Sequence, residues 1–172
     1  MDFLHKSFEN VNLDSTLEKY WHMKDELLPF LFELLYKISL LEEEMSIWMN
    51  KLKAEKDALG IVGQTHVDEP KVWAEYERRM NELITPFCAE SLLKTNTPRA
   101  IQGPPRYHYL RSGCEAVYFT MKSPKRAEVE VRWIRGMEYK EKFVLTKIDD
   151  SWKVKDVQTG YGWDDKFKSF RI

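Results

Sequence analysis

Residues 126–134 read Arg-Ala-Glu-Val-Glu-Val-Arg-Trp-Ile, so apolar and charged side chains alternate along most of this stretch. A period of two predicts a β-strand with one buried face and one wet face, which is typical of an antiparallel sheet. The face predicted to be buried consists of Ala127, Val129, Val131 and Trp133. The stretch therefore predicts an antiparallel sheet in the second half of the chain.

Three more strands are predicted around this stretch, because apolar residues alternate again on both sides of it. They cover residues 115–122, 139–148 and 152–161, and short turns separate them. Short turns favour pairing between successive strands, so we expect a meander. The tail from Gly162 to Ile172 has a mixed pattern, in which Trp163, Phe167 and Phe170 are candidate anchors.

Helical periodicity replaces this alternation before residue 100, after an irregular stretch over residues 1–13. Ser15-Thr16-Leu17-Glu18 has the form of a capping box, and apolar residues recur at helical spacing from Leu17 to Leu59. Pro29 would kink this helix or divide it into two. Gly60 is the predicted stop.

A second helix is predicted after a loop at residues 60–70. Its apolar stripe consists of Val72, Trp73, Tyr76, Met80, Leu83 and Ile84. Pro86 ends this helix or begins a short one that turns Leu92 and Leu93 inward. Helices that precede strands in this way indicate an α+β fold, with the helices packed on the sheet.

Length and charge limit the classes of function. The 172 residues suit one domain, the hydrophobic fraction of 43% excludes a disordered chain, and the net charge of −1 argues against direct nucleic-acid binding. Charge is nevertheless uneven, since residues 1–90 hold 10 Lys and Arg against 18 Asp and Glu. An acidic half suits a basic partner.

Cysteine content and hydropathy favour a reduced, cytoplasmic setting. Cys88 and Cys114 are too few for a disulfide framework, although a single bridge between them stays open at this point. The N-terminus lacks the pattern of a secretory signal. The most apolar stretch, Leu27 to Leu41, contains Glu33 and Lys37 and is shorter than the ~18 residues expected of a membrane span, so we predict no membrane association.

The usual motifs of metal and cofactor chemistry are absent from the sequence. The four histidines are scattered, and there is no P-loop, dinucleotide-binding glycine motif or nucleophile elbow, so we predict neither a metal nor a cofactor. Cys88 and Cys114 could act as nucleophiles beside a histidine, but packing is the simpler interpretation. We therefore predict no catalytic residues.

Several polar and aromatic residues in the second half are candidates for the lining of a cavity. His108 lies in the aromatic segment 106–109 and would suit a pocket wall, the alternative being a packed loop histidine. Asp156 lies within a strand, where an inward carboxylate would have a raised pKa and serve as a general base; a bulge or a surface ion pair is the alternative. The candidate cavity residues are Tyr107, His108, Tyr118, Trp133 and Asp156.

Glu42, Glu43 and Glu44 form an acidic run, and Trp48 lies one turn further along the same helix. Consecutive helix positions point in different directions, so one interpretation is a solvated helix surface. The other is an acidic contact surface, edged by an aromatic ring, for a basic partner. We take these four residues as candidate contacts with a partner protein.

Six segments between residues 71 and 160 follow one another in an order that is known from one family. They are Trp73–Ile84 with Thr85-Pro86-Phe87-Cys88, Gly103-Pro104-Pro105-Arg106-Tyr107, Glu115-Ala116-Val117, Ala127-Glu128-Val129-Glu130-Val131, Lys142-Phe143-Val144-Leu145 and Ser151-Trp152-Lys153-Val154-Lys155-Asp156. This order resembles that of the NTF2-fold immunity proteins of bacterial polymorphic toxin systems. Each motif alone is common in such sheets, so their order and spacing carry the resemblance.

The resemblance implies a cone-shaped NTF2-like domain over residues 67–172, with a curved antiparallel sheet of about four to six strands, and a helical extension over residues 1–66. It implies an immunity protein, which binds a cognate toxin in the cytoplasm and inhibits it without catalysis. A nuclease toxin would have a basic site that suits the acidic half. The extension would cover the cone, contact the toxin or form a homodimer.

The cone also resembles the scaffolds of isomerases, dehydratases and small-ligand binders. Enzymes of this kind need an acid and base pair that lines the cavity. The alternative function is therefore a small-molecule-binding protein or an enzyme of the isomerase or dehydratase type, which fold analogy alone does not establish.

Overall fold

The structure, a computed structural model, describes residues 11–96, 101 and 103–172. It is an α+β fold, as the sequence predicts, in which helices precede most of the sheet. The helices are α1 (Lys24–Ala58), α2 (Glu69–Ile84), α3 (Glu90–Thr95) and α4 (Tyr109–Ser112), and a 3-10 helix (Glu18–Met23) precedes α1. The strands are β1 (Val11–Asn12), β2 (Ala116–Ser123), β3 (Arg126–Arg135), β4 (Met137–Ile148), β5 (Ser151–Tyr161) and β6 (Lys168–Phe170).

The six strands form one open sheet in the order of the sequence, so the predicted meander of β2, β3, β4 and β5 is confirmed. The sheet is antiparallel except at one edge, where β1 pairs parallel to β2 with Val11 opposite Val117. Both β1 and β6 were absent from the prediction. The predicted irregular stretch is wrong at Val11 and Asn12, and its residues 1–10 lie outside the described part of the chain.

The alternation in β3 buries the predicted face. Ala127, Val129, Val131 and Trp133 are all buried and belong to one core with residues of α1 and α2. On the neighbouring strand, Val129 lies opposite Phe143, and Val131 lies opposite Glu141. The same register thus places a carboxylate on the buried face, which bears on the site described below.

The long helix α1 continues through Pro29, so a division into two helices at this residue is wrong. Proline removes one backbone hydrogen bond, and here it does so early in a helix of 35 residues whose apolar side chains are deeply buried. The predicted stop is confirmed. Gly60 has φ +66°, and the amides of Ile61 and Gly60 donate to the carbonyls of Lys56 and Asp57, each at 3.1 Å, in a Schellman arrangement.

The predicted capping box does not form. The first helical turn begins at Glu18 without a side-chain cap. The Thr16 hydroxyl instead donates to the carbonyl of Phe119 at 2.8 Å and accepts the amide of Met121 at 3.0 Å. Thr16 therefore attaches the chain before α1 to strand β2.

Helix α2 packs its predicted stripe against the core, with Val72, Tyr76, Met80 and Ile84 buried. The helix ends at Ile84, two residues before Pro86, and α3 then buries Leu92. The segment between these helices joins the sheet, because the amide of Ala89 donates to the carbonyl of Val154 at 2.8 Å.

Candidate functional site

The three carboxylates of the acidic run point to three different partners. Glu42 accepts the backbone amide of Arg106 at 2.7 Å, and Glu43 accepts a guanidinium hydrogen bond from Arg111 at 2.9 Å. Glu44 binds both terminal nitrogens of Arg79, at 2.6 and 2.8 Å. These carboxylates attach α1 to α2 and to the segment that precedes β2. They do not form one free acidic surface.

A buried polar cluster lies where this segment meets the sheet; it comprises Glu42, Tyr76, Arg106, Tyr107, Tyr109 and Glu141. Arg106 Nε donates to Glu141 Oε1 at 2.6 Å, and a second guanidinium nitrogen donates to the same oxygen. The Tyr109 hydroxyl donates to Glu141 Oε2 at 3.0 Å. Both oxygens of this buried carboxylate are therefore occupied.

Arg106 also connects the cluster to the last residues of the chain. Its guanidinium donates to the carbonyl of Arg171 and lies between two rings, 4.2 Å from the centroid of Phe170 and 4.9 Å from that of Tyr107. Ile172 is buried in the core. One arginine thus holds together α1, the segment before β2, strand β4 and the tail.

Burial sets the protonation of the other members of the cluster. Burial raises the pKa of Glu42 above its ordinary value, and the backbone amide and charge of Arg106 oppose this shift. Burial also raises the pKa values of Tyr76, Tyr107 and Tyr109, so these phenols stay neutral at physiological pH. The cluster accordingly contains three neutral phenols beside the carboxyl groups of Glu42 and Glu141.

The Tyr107 hydroxyl is completely buried and has no hydrogen-bond partner among the described residues. Its ring packs 6.0 Å from that of Tyr109 and 6.1 Å from that of Phe143. Hydrogen bonds hold the carboxyl groups of both Glu42 and Glu141. This arrangement braces the fold, and the carboxyl group of Glu42 is the one in the cluster whose pKa is raised by burial.

The structure brings together three of the five candidate cavity residues. Tyr107 belongs to the cluster, the His108 ring lies 6.3 Å from the Tyr109 ring, and Tyr109 stacks on Trp133 at 4.4 Å. Tyr118 lies on the opposite face of the sheet, because it is paired with Glu130 between the buried positions of β3, and Arg132 lies over its ring. It therefore does not line a common cavity with Trp133.

Asp156 lies apart from the cluster, beside a β-bulge in β5. Its carboxylate accepts a hydrogen bond from the side-chain amide of Gln158 at 2.8 Å. The register shift agrees with the bulge interpretation of Asp156 and not with an inward base. Together with α3 and β6 it borders an open cleft of about 830 Å³. The residues around that cleft include Ser91, Thr95, Ser169 and Phe170.

The sequence analysis missed Arg106, Tyr109 and Glu141, which form the centre of the cluster. One signal was available: Glu141 has the same parity in β4 as Phe143 and Leu145, so the alternation already placed a carboxylate on the buried face. A charged residue in a buried register needs a partner. The identity of that partner, 35 positions away, was not encoded locally.

Both cysteines are free, which settles the question of a bridge. Cys88 is buried, and burial raises the pKa of its thiol to about 12. Burial also raises the pKa of the half-buried Cys114. A thiol in this state is a weak nucleophile near neutral pH.

A second feature of the surface is an apolar stripe on the solvent side of α1. Leu40, Ile47 and Trp48 are 42%, 66% and 37% exposed, and they lie at helical spacing around Glu44. We call Leu40, Glu44, Ile47 and Trp48 the outer stripe. Of the four candidate partner contacts, Glu44 and Trp48 belong to it, whereas Glu42 and Glu43 face other elements.

Within the described ranges, no three or more His, Cys, Asp or Glu side chains are grouped so as to hold a metal ion. None of the described helices combines the length and the apolar character needed to cross a membrane.

Comparisons with known proteins give no relative. No protein family matches the chain, and neither the curated proteins nor the solved structures contain a significant match.

Proposed function

We propose that this protein is an immunity protein that binds a cognate bacterial toxin domain in the cytoplasm and inhibits it stoichiometrically, without catalysis. The proposal is supported by the motif order over residues 71–160 and by the succession of helices and antiparallel strands. We include in it an NTF2-like cone formed by the sheet and the helices. The hydrogen bonds that already hold both carboxyl groups of the buried cluster favour a binding protein over an enzyme.

The observation that carries the proposal is a group of apolar side chains on the otherwise charged solvent side of α1. Ile38, Leu41 and Met45 are buried in the core, whereas Leu40, Ile47 and Trp48 on the other side face solvent. Exposed apolar side chains that are grouped and surrounded by polar residues mark surfaces that contact other proteins. We therefore assign the outer stripe as the surface that the toxin covers.

The surroundings of the outer stripe suit a protein partner. The Glu44–Arg79 pair lies within it, and Lys37 pairs with Glu33 at 2.6 Å beside it. Apolar and aromatic side chains surrounded by ordered polar groups are typical of interface hot spots.

Charge disfavours pairing of the stripe with a second copy of itself. Leu40 and Trp48 lie the same number of residues before and after Glu44. Two copies of α1 packed antiparallel through the stripe would therefore be centred on Glu44. Such a pair would place Lys37 opposite Lys51 and Glu33 opposite Glu55. Like charges at both ends cost binding energy, so a different protein fits better than a homodimer.

The alternative function, an isomerase or dehydratase type of enzyme or a small-ligand binder, is favoured by one observation. Glu42 is an acid with a pKa raised by burial, and it lies near Tyr76 and Tyr107. An acid of this kind can take part in proton transfer. Its weakness as a candidate is that Glu42 and Glu141 are already held by hydrogen bonds.

The test is a binding titration with the toxin domain encoded by the adjacent gene. We expect a tight one-to-one complex with the wild-type protein and a loss of affinity of at least about 30-fold in the Ile47→Ser/Trp48→Ser variant. The Val62→Ser/Val67→Ser variant removes two strongly exposed apolar side chains outside the stripe and is the matched control.

Each arm of this titration tests a different statement. If the wild-type protein does not bind the toxin domain, the immunity function is wrong. If the stripe variant binds as tightly as the control variant, the function stands and the assigned surface is wrong. Self-association of the wild-type protein that the stripe variant loses would show that a second copy occupies the surface.

A further inference from the structure

A row of aromatic rings crosses the end of the sheet near the β3–β4 turn. Trp133, Tyr139 and Tyr161 occupy paired positions on three neighbouring strands, and their rings follow one another at 5.7 and 5.8 Å. Tyr161 then stacks on Trp163 at 4.7 Å, with an angle of 7° between the ring planes. The row begins at the buried Trp133 and ends in solvent, where Tyr161 and Trp163 are 47% and 66% exposed.

A cleft of about 230 Å³ opens beside the outer end of this row; we call it the sheet-end cleft. Its lining consists of Tyr139, Thr159, Gly160, Tyr161, Asp164, Lys166 and Lys168. It lies between strand β5 and the chain that leads into β6. One of its walls is therefore aromatic, and the other contains two lysines.

Positive charge is in excess around the sheet-end cleft. Lys166 and Lys168 are exposed, and no ion pair joins either of them to an acidic side chain in the described part of the chain. Lys140 and Lys142 lie close by, with their ammonium groups 4.3 and 3.8 Å from the centroid of the Phe167 ring.

Two acidic residues, Asp164 and Asp165, lie in the segment that borders the cleft. Asp164 Oδ1 accepts the backbone amide of Lys166 at 2.8 Å. Glu138 pairs with Arg132 at 3.7 Å. The four lysines Lys140, Lys142, Lys166 and Lys168 thus outnumber Asp164 and Asp165, and the resulting excess of positive charge attracts anions to the cleft.

We propose that the sheet-end cleft binds a ligand that joins a flat aromatic ring to an anionic group, as a nucleoside monophosphate does. The ring stacks on the exposed face of Trp163 beside Tyr161, and the phosphate lies between Lys166 and Lys168. Aromatic side chains are stacking platforms for nucleobases, and lysines supply the charge that phosphates need. This inference is independent of the proposed inhibition of a toxin.

The size of the cleft agrees with a ligand of which only the anionic group is enclosed. Pockets that enclose a whole small molecule usually measure about 300–1,000 Å³. A cleft of about 230 Å³ is smaller, so it accommodates the anionic group while the ring rests on the aromatic surface outside. The ligand therefore remains partly exposed to solvent, and we expect its affinity to depend on salt.

The test is a titration of the full chain with AMP, adenosine and ribose 5-phosphate, followed by calorimetry and by the indole NMR signal of Trp163. We expect AMP to bind at least about tenfold more tightly than either fragment, because each fragment lacks one of the two contacts. We expect the Trp163→Ala variant and the Lys166→Gln/Lys168→Gln variant each to weaken AMP binding by about tenfold or more. The Lys51→Gln/Lys53→Gln variant removes the same charge from α1 and should bind AMP like the wild type.

The outcomes that would overturn the inference are equally specific. They are no shift of the Trp163 signal at millimolar AMP, equal affinity for AMP and adenosine, or equal affinity for AMP and ribose 5-phosphate. The Trp163→Phe variant keeps an aromatic face and should retain binding if the loss in Trp163→Ala is due to stacking. A 5′-phosphorylated trinucleotide distinguishes the source of the ligand: tighter binding than AMP indicates the end of a strand, and weaker binding indicates the free nucleotide.

Discussion

The guanidinium of Arg106 and the carboxylate of Glu141 form an ion pair from which water is almost excluded, since only 13% and 4% of their side-chain surfaces are exposed. The pair joins the segment before β2 to the middle of β4. Removing one partner of such a pair leaves an uncompensated buried charge, which typically costs about 3–5 kcal/mol.

We therefore expect the Arg106→Met and Glu141→Leu variants each to lose about 3–5 kcal/mol of the free energy of unfolding, measured by urea denaturation. The double variant should lose clearly less than the sum of the two, because neither charge remains. Single losses below about 1 kcal/mol would show that the cluster is not the brace described above.

The attachment of Thr16 to β2 predicts a loss of stability without any loss of helix capping. The Thr16→Val variant keeps the shape of the side chain and removes its hydrogen bonds with Phe119 and Met121, so we expect a loss of about 1–3 kcal/mol. Ser15→Ala is the control, since the first helical turn has no side-chain cap, and it should stay within about 0.5 kcal/mol of the wild type. A larger loss of stability in Ser15→Ala than in Thr16→Val would contradict this expectation and would support the capping box.

The raised pKa of Glu42 predicts a pH dependence with a definite sign. The folded state keeps this proton to higher pH than the unfolded chain, so the stability that the neutral form contributes is present below the ordinary pKa of 4.5 and falls as the pH rises through the raised value. The Glu42→Gln variant stays neutral. Its free energy of unfolding relative to the wild type should therefore increase between about pH 4 and pH 7.

The matched control for this measurement is Glu33→Gln, which removes a half-exposed carboxylate from the solvent side of the same helix. If the Glu42→Gln variant shows the same pH profile as the wild type after this correction, the burial of Glu42 has no effect on its titration.

The two thiols should differ in reactivity. Cys88 is buried and its pKa is raised to about 12, whereas Cys114 is half-buried. At pH 8 we expect a thiol reagent to label Cys114 first and Cys88 only as the protein unfolds. Mass spectrometry of the labelled protein identifies the site, and the Cys114→Ser variant should leave a single slow phase. Rapid labelling of Cys88 in the folded protein would contradict its burial.

The close approach of Gly160 to the chain before β6 predicts that a methyl group is not tolerated there. A Cβ at this position would lie 2.5 Å from the carbonyl oxygen of Lys166 and 2.9 Å from Cε of Lys140. We expect Gly160→Ala to cost about 1–3 kcal/mol and to speed amide hydrogen exchange over residues 162–167. Gly103→Ala is the control, because a Cβ at that position would lie 3.4 Å from its nearest neighbour, the Ser46 hydroxyl oxygen.

Local patterns predicted the elements whose own residues carry the signal. The alternation in 126–134 identified both the strand and its buried face, and Gly60 identified the end of α1. The strands β1 and β6 were not predicted, because two or three residues are too few to show the period of two that marks a strand. Pro29 misled because the core packing of a long helix outweighs the loss of one backbone hydrogen bond.

The candidate site was less predictable, because the partners of its charges lie far along the chain. Glu42, Glu43 and Glu44 are adjacent in sequence, yet their partners are Arg106, Arg111 and Arg79. A sequence shows that a carboxylate needs a partner and does not show which turn of the chain supplies it. The outer stripe was equally hard to identify, because helical spacing alone does not show which side of α1 the sheet covers.

The two-residue strand β1 has a consequence for any shortened form of the protein. It lies along the outer edge of β2 and, with Thr16 bound just beyond it, covers groups of the backbone that would otherwise be open to pairing. An uncovered strand edge is a template on which another chain can add. A chain that began after residue 16 would keep its helices and the other five strands, and it would tend to assemble edge to edge into aggregates.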